Sequence, residues 1–537
     1  MQFKQDSFYK GTFILTMAGI VVKIIGSLNW IFVSRILGGE GIGLYQMAFP
    51  IYLMALSISS AGIPVAISII TAERVALGDV LGARRVFRIA LGVLSVSGLL
   101  LSLATYVGAE WLIDWRLIRD PRAYYSIVAL APAIFFVTML SSFRGYLQGW
   151  QRMTPTAVSQ IVEQIFRVVT MILFAQLFLP SGLEFAAAGA SLGAFAGAVA
   201  GFVVLVYYHL RLEREIAAEI AEQTSVYHGK KEPCRKIIKR ILVLAIPVSA
   251  SSLMLPIVSN LDLMIVPARL EVAGLTVAEA TEYFGYLTGM AVPLTNLATI
   301  LTAALAVSLV PAISEAAALG DKARIAFRTG AAFRISNIIT FPAFVLIFML
   351  HTEIATLIYN APLAGPVVGY LATAIVFLGL HQVTTGILQG LGHTTIPLVN
   401  MAVAAVAKVA LNWSLVAIPT LGIIGATVAT TVDIGLAALI NLYFIRRYVG
   451  TVMRVKELMK VICASLVMAG SVYLAYHALT AVTIHMAVVA TGATIVGISV
   501  YLGILLLIGG ICREDVAGIP HIGTRLVHIF CRIGVFR

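Results

Sequence analysis

Apolar residues run through this chain in long unbroken blocks, without the apolar-polar alternation of half-buried strands. The block GTFILTMAGIVVKIIGSLNWIFVSRIL from Gly11 and the block HMAVVATGATIVGISVYLGILLLIGG from His485 are typical. A helix needs about 20 such residues to cross the ~30 Å hydrocarbon core of a bilayer. The pattern predicts about fourteen transmembrane helices. Six fall within 11–210, six within 241–445, and two at 458–478 and 485–510. Only helices or closed barrels satisfy the backbone in hydrocarbon, so the expected fold class is an all-α integral membrane protein.

The polar punctuation between blocks is written twice. GYLQGWQRMTP starts at Gly145 and GILQGLGHTTIP at Gly386, an offset of 386 − 145 = 241. MAFP at Met47 returns as MAVP at Met290, and ERVALGD ending at Asp79 returns as EAAALGD ending at Asp321. Matches in one order at a nearly constant offset predict two homologous six-helix lobes, 1–210 and 241–447. A cytoplasmic linker, 211–240, joins them. Two extra helices follow in 448–510, then a basic cytoplasmic tail, 511–537. An even number of spans separates the first helix of each lobe, so the lobes are parallel repeats, which place a substrate between them and rock during transport. In the duplicated turn, Gly is expected to supply the bend and Pro155 or Pro397 to start the next helix.

Composition agrees: 60% of residues are hydrophobic, 12% are charged, and mean hydropathy is +0.98. The net charge, 37 − 25 = +12, does not point to nucleic acid. With the N-terminus in the cytoplasm, most Lys and Arg fall on cytoplasmic segments, the positive-inside bias. Arg35, Arg116, Arg119, Arg122 and Arg269 fall outside, and Lys23, Arg167 and Lys408 within spans. Both termini are then cytoplasmic. Cys234, Cys463, Cys512 and Cys531 form no C-x-x-C pair and read as free thiols. The first apolar block is too long for a signal peptide and reads as the first span. There is no P-loop sequence, no H-E-x-x-H and no histidine cluster, so neither ATP hydrolysis by a P-loop nor a metal site is expected.

Ionisable residues inside a membrane mark a pathway or a site by default. On the fifth span, Thr156, Ser159, Gln160, Glu163, Arg167 and Thr170 share one helix face, with Glu163 and Arg167 an i,i+4 pair. Arg167 follows Pro155 by twelve residues and Lys408 follows Pro397 by eleven, which puts each cation roughly 17 Å into its helix. Lys23 is a third cation, and Glu163, Asp262 and Asp433 are the acids. The packing reading pairs all six as three internal salt bridges. The functional reading is a hydrated cationic cavity for an anionic head group. Gly189, Gly193, Gly197 and Gly201 form a four-residue ladder on the sixth span, a close helix contact.

KGTFILTMAGIVVKIIGSLNWIFVSRILGGEGIGLYQMAFP, GIPVAIS and SSFRGYLQGWQRMTPTAVSQIVEQIFRV resemble the family of stage V sporulation protein B and the MurJ-type lipid II flippases. That family lies within the multidrug/oligosaccharidyl-lipid/polysaccharide exporter superfamily. The resemblance covers the whole chain. It implies a bacterial plasma membrane, export of undecaprenyl-pyrophosphate-linked sugars for peptidoglycan, and a lipid-tail groove formed by the last two spans. Where Gram-negative flippases carry two arginines in the first span, this chain has Lys23 and Asn29, with Arg35 a further basic position near the outer end. Around Met54 and Ala55 in the second span it has no cation. Some relatives bind sodium with carboxylates of spans seven and eleven. Asp262 fits that pattern, but 396–418 holds no acid and offers Lys408, whose ammonium is expected to replace the ion.

The favoured reading is therefore a flippase for a lipid II-like substrate or related lipid-linked oligosaccharide, working by alternating access. Lys23, Asn29, Glu163, Arg167 and Lys408 bind the head group, and Arg35 and Arg269 flank the outer gate. Asp262 and Asp433 are ion-coupling candidates for sodium or protons. No cofactor, metal, nucleic-acid partner or catalytic residue is expected. Membrane lipids and cell-wall synthesis enzymes are the other candidate partners. The alternatives are a cation-coupled drug or metabolite exporter using Glu163, Asp262 and Asp433, and a non-transporting membrane scaffold.

Overall fold

A computed structural model describes residues 5–60, 62–217, 221, 232–450, 455–482 and 485–510, and every regular element among them is helical. In chain order the helices are α1 Gln5–Ser60, α2 Ile63–Ala76, α3 Val80–Asp114, α4 Ala123–Gly149, α5 Thr154–Phe178 and α6 Leu183–Glu215. Then come α7 Cys234–Val272, which begins inside the expected linker 211–240, α8 Val277–Gly285, α9 Val292–Ala298, α10 Ile300–Ala318, α11 Lys322–Met349 and α12 Gly365–Ala372. The last five are α13 Ala374–Gly390, α14 Thr395–Leu415, α15 Ile423–Tyr448, α16 Val455–Val482 and α17 Met486–Leu507. The expected tail, with Cys512 and Cys531, lies outside the described residues, while Cys234 and Cys463 are free thiols.

Among the described residues, twelve helices are long and apolar enough to cross a membrane, or thirteen with the pair Pro362–Ala372 and Ala374–Gly390, which is bent by 47°. The first candidate, Met17–Ala76, contains two of the expected spans. They are separated at Gly38, whose φ of 64° breaks α1. A second left-handed glycine, Gly62, introduces α2 just before Pro64. Large apolar side chains lie exposed along α3 at Val96, Leu99, Leu100, Leu103 and Val107. Water would not tolerate such a stripe on a monomer; lipid does.

The chain divides into two compact units: Met1–Glu271 with Leu275–Gly285, and Val272–Gly274 with Tyr286–Arg537. This division does not coincide with the sequence repeat, because α7 and α8 belong to the first unit. Asn260 of α7 donates to the Pro50 carbonyl at 2.8 Å. Arg240 pairs with Glu73, Arg74 with Glu232, and Glu271 with Arg119 at 3.6 Å. Those ties fasten α7, and Glu232 just before it, to α1, α2 and the α3–α4 loop.

Within each unit the repeated punctuation has the same geometry. Asp79 and Asp321 both cap the next helix, accepting from Gly82 N at 2.7 Å and from Arg324 N at 2.9 Å. Gly78 and Gly320 before them are left-handed, at φ 73° and 68°. After α4 and α13 the chain turns through residues of positive φ, Gln151 and Gly392. A glycine thus makes the bend in the second copy, as expected, and Gln151 makes it in the first; the paired glycines one turn apart do something else. Gly145 and Gly149 are helical and lie against α2, where a Cβ would come within 2.6 Å of Pro64 O and 2.5 Å of Thr71 Cβ. Gly386 and Gly390 lie in the same way against α10, at 2.6 Å from Ala306 O and 2.8 Å from Ile313 Cβ. The duplicated motif therefore marks a helix crossing, and the bend is set two residues beyond it.

In the second unit, α16 and α17 pack on each other and on α11. Tyr501 donates to Ile338 O at 2.9 Å. That carbonyl stands four residues before Pro342, which lacks the N–H that would otherwise take it. Tyr476 donates to Glu353 at 2.7 Å, and Arg334 lies 3.5 Å from Glu457.

Candidate functional site

A largely buried charged cluster among the helices of the first unit grows from the α5–α6 contact. The glycine ladder of α6 lies along α5 as its spacing predicts. Cβ atoms would come within 2.8 Å of Arg167 O from Gly193 and within 2.6 Å of Glu163 O from Gly197. From Gly201 the nearest α5 atom would be Glu163 Cβ, at 3.2 Å. Backbones this close leave no room for side chains on α6 at this level, and the Glu163 and Arg167 side chains start from the contact and meet each other and Arg144 of α4. Glu163 accepts from Arg167 Nη2 at 2.5 Å and from Arg144 Nη2 at 2.8 Å. Arg144 also donates to Ser159 Oγ at 3.3 Å through Nε and Nη2.

Two guanidiniums thus share one carboxylate, for a net charge of +1. The side chains are 18% (Arg144), 13% (Glu163) and 22% (Arg167) exposed. Arg167 Nε is buried and meets no acceptor among the described residues. Around the cluster, Asn29 of α1 is buried and donates to Met171 Sδ at 3.1 Å. Tyr45 and Tyr52 of α1 lie within electrostatic reach of Arg167.

Arg144 was not among the residues expected from sequence. It stands five residues before the end of α4, where a cation reads as one more member of the cytoplasmic set. Only the α4–α5 contact shows that it turns inward to Glu163. Lys23 and Arg35 are exposed on α1, and Asp262 and Arg269 are half-buried on α7.

In the second unit, Lys408 is 6% exposed on α14, on a buried stripe with Asn400, Ala404 and Asn412. This face packs along α15, where Asp433 is half-buried. Asn400 donates to Asn441 Oδ1 at 2.8 Å, and Asn441 in turn donates to Thr384 and Thr385 at 3.3 Å. The repeat offset sets Thr385 where the first unit has Arg144 (385 − 144 = 241) and Ala405 where it has Glu163 (405 − 163 = 242). The carboxylate shared by two arginines in one unit therefore has no counterpart at the same positions in the other, where amides and hydroxyls hydrogen-bond to one another and Lys408 is the buried cation of α14.

A second polar knot ties the α3–α4 loop to α8. Asp120, 1% exposed, accepts from Arg122 Nη2 at 2.7 Å and from Thr281 Oγ1 at 2.9 Å. Arg122 also reaches Glu40 at 2.7 Å. The Asp120 hydrogen bonds hold the Arg122 guanidinium above its ordinary pKa. Here α1 and α8 touch backbone to backbone, since a Cβ on Gly43 or Gly285 would overlap Thr281 O or Gly39 O at 2.1 Å.

The pattern of the polysaccharide biosynthesis protein family matches residues 8–317, more than half of the chain. The chain belongs to that family. Residues 287–414 match the MatE family. Stage V sporulation protein B of Bacillus subtilis (strain 168) is 28% identical over 97% of this chain and 99% of its own length. Lipid II flippase MurJ of the same organism is 26% identical over 82% of this chain and 83% of its own. Among solved structures, the inward closed conformation of lipid II flippase MurJ superposes with a TM-score of 0.69, covering 92% of this chain and 98% of that one at 16% identity. An inward-facing multidrug resistance MATE family transporter of the MOP superfamily gives 0.63, covering 80% and 95% at 17% identity. The chain is thus an all-helical, multi-pass membrane protein of the flippase and exporter superfamily, and its relatives here include a lipid II flippase and a MATE family transporter.

Proposed function

We propose that this chain flips an undecaprenyl-pyrophosphate-linked peptidoglycan precursor, or a related lipid-linked oligosaccharide, across the bacterial plasma membrane by alternating access. The observation that carries the reading is the excess positive charge of Arg144, Glu163 and Arg167 inside the helices of the first unit. Uncompensated charge at such a place is expensive unless it is used, and a diphosphate is the complementary ligand for paired guanidiniums. The similarity to lipid II flippase MurJ over 82% of this chain supports the lipid-linked class. Lys408 and Lys23 supply further positive charge for the head group, Asn29 an amide, and Arg35 and Arg269 flank the exit. In this reading α16 and α17 carry the lipid tail, both termini are cytoplasmic, no cofactor is used, and sodium or protons couple at Asp262 and Asp433. Cell-wall synthesis enzymes are its candidate partners.

The test is the outer-leaflet appearance of labelled lipid II in cells depleted of their own flippase and supplied with this chain. Arg167→Gln is expected to abolish flipping while the protein still inserts. Flipping at the wild-type rate by that variant refutes the assignment. Activity of a chain ending near residue 455 would favour the cation-coupled exporter instead.

A further inference from the structure

The first unit holds one carboxylate between two arginines, largely buried. Two arginines from different helices converge on one carboxylate, each donating from a terminal nitrogen, at 2.5 and 2.8 Å. Paired guanidiniums hold a phosphoryl group in the same way. Two guanidiniums carry ten N–H donors, more than one carboxylate and one hydroxyl can accept, and Arg167 Nε is buried with no acceptor.

A cluster needed only for packing would balance its charge. It would also recur where the packing recurs. It does neither. The glycines of α13 approach α10 as those of α4 approach α2, yet Thr385 and Ala405 stand in the places of Arg144 and Glu163 and Lys408 is the buried cation of α14, so a carboxylate shared by two arginines is not what that packing requires.

We propose that Glu163 is an internal counter-ion that occupies the diphosphate position between Arg144 and Arg167, and that anionic cargo binds by displacing it. This rests on the flippase reading and adds a device to it. The carboxylate keeps both guanidiniums oriented while no cargo is bound. Once cargo is bound it competes for the same donors and so hastens release. Without it, the two cations would hold a dianion too tightly to let go on the far side. No bond is made or broken; one anion exchanges for another.

The experiment measures binding of inorganic pyrophosphate, and separately of a short-chain polyprenyl diphosphate in nanodiscs, to the purified full chain. Glu163→Gln keeps the shape and removes the charge. It is expected to bind pyrophosphate roughly tenfold tighter than wild type, the equivalent of about 1.4 kcal/mol, while its flipping rate falls because release slows. Loss of a merely structural residue would weaken binding, so tightening separates the two roles. Tightening for the lipid alone would also support the exchange and identify the membrane-borne diphosphate as its target. Should Glu163→Gln fail to insert, Glu163→Asp, which withdraws the carboxylate by one methylene, is expected to tighten binding in the same direction.

Unchanged or weaker pyrophosphate and lipid binding by a folded Glu163→Gln protein overturns the counter-ion role. The flippase reading survives that result if Arg167→Gln still abolishes flipping. It falls if Arg167→Gln flips normally, whatever Glu163 does.

Discussion

Replacing Gly197 by alanine tests the contact on which the charged cluster is built. The added Cβ would stand 2.6 Å from Glu163 O, 2.9 Å from Arg167 Cβ and 3.2 Å from Arg167 N, where ordinary contact begins at 3.4 Å. The first two neighbours are the backbone oxygen and the first side-chain carbon of a helix, and neither can swing aside. Clearing the oxygen requires α5 and α6 to separate by about 0.8 Å at this level, the difference between those two distances. Overpacking of this kind costs about 1–3 kcal/mol. The control is Gly92→Ala on α3, where a Cβ meets nothing within 4 Å; there alanine should gain about 0.5–1 kcal/mol from helix propensity. Thermal unfolding of the two purified variants, followed by the loss of monodisperse protein, reads the difference. Gly197→Ala should melt below wild type and Gly92→Ala at or above it. If Gly197→Ala melts with wild type, the α5–α6 backbones are not in contact at Glu163, and the positioning argued for Arg144 and Arg167 fails with them.

Two other expectations follow from the polar ties. Tyr501→Phe leaves the Ile338 carbonyl, already deprived of a partner by Pro342, without its donor. Unpaired buried polar groups cost about 1–3 kcal/mol, so this variant should melt lower, and protease cleavage between α15 and α16 should increase. At the start of α8, the Thr276 N–H and hydroxyl both donate to Glu279 at 2.8 Å and hold its carboxyl below the ordinary value of 4.5. A lowered folded pKa contributes stability above the unfolded pKa and loses it as the pH falls through the folded one. Hydrogen-exchange protection of the Val277–Gly285 amides should therefore be steady at neutral pH and fall only below pH 4.5, and Glu279→Gln should remove that dependence.

Much of this protein is local enough to be legible in one dimension. The length of the apolar blocks sets helices that can span hydrocarbon; every described regular element is helical, and twelve of the described helices, or thirteen with the bent pair, are long and apolar enough to cross. The duplicated ALGD capping turn and the Gly-x-x-x-Gly of α4 and α13 recur because each is a few residues of backbone chemistry. The α6 ladder points at α5 because spacing alone puts its glycines on one face. Glu163 and Arg167 are readable as a pair for the same reason, one turn apart on one helix.

Questions about which helix meets which were beyond that reach. Arg144 reads as a cytoplasmic cation until α4 is laid against α5, and nineteen residues and a turn separate it from Glu163. The bend after α4 sits at Gln151 rather than at a glycine, since tertiary contact with α2 had already claimed Gly145 and Gly149 for close approach. The repeat assigns α7 to the second lobe, while its ion pairs with Glu73 and Arg119, and that of Glu232 just before it with Arg74, bind it into the first unit. Periodicity tells a residue which face of its own helix it occupies. It carries no information about the neighbour across that face, and a charge acquires its meaning from that neighbour.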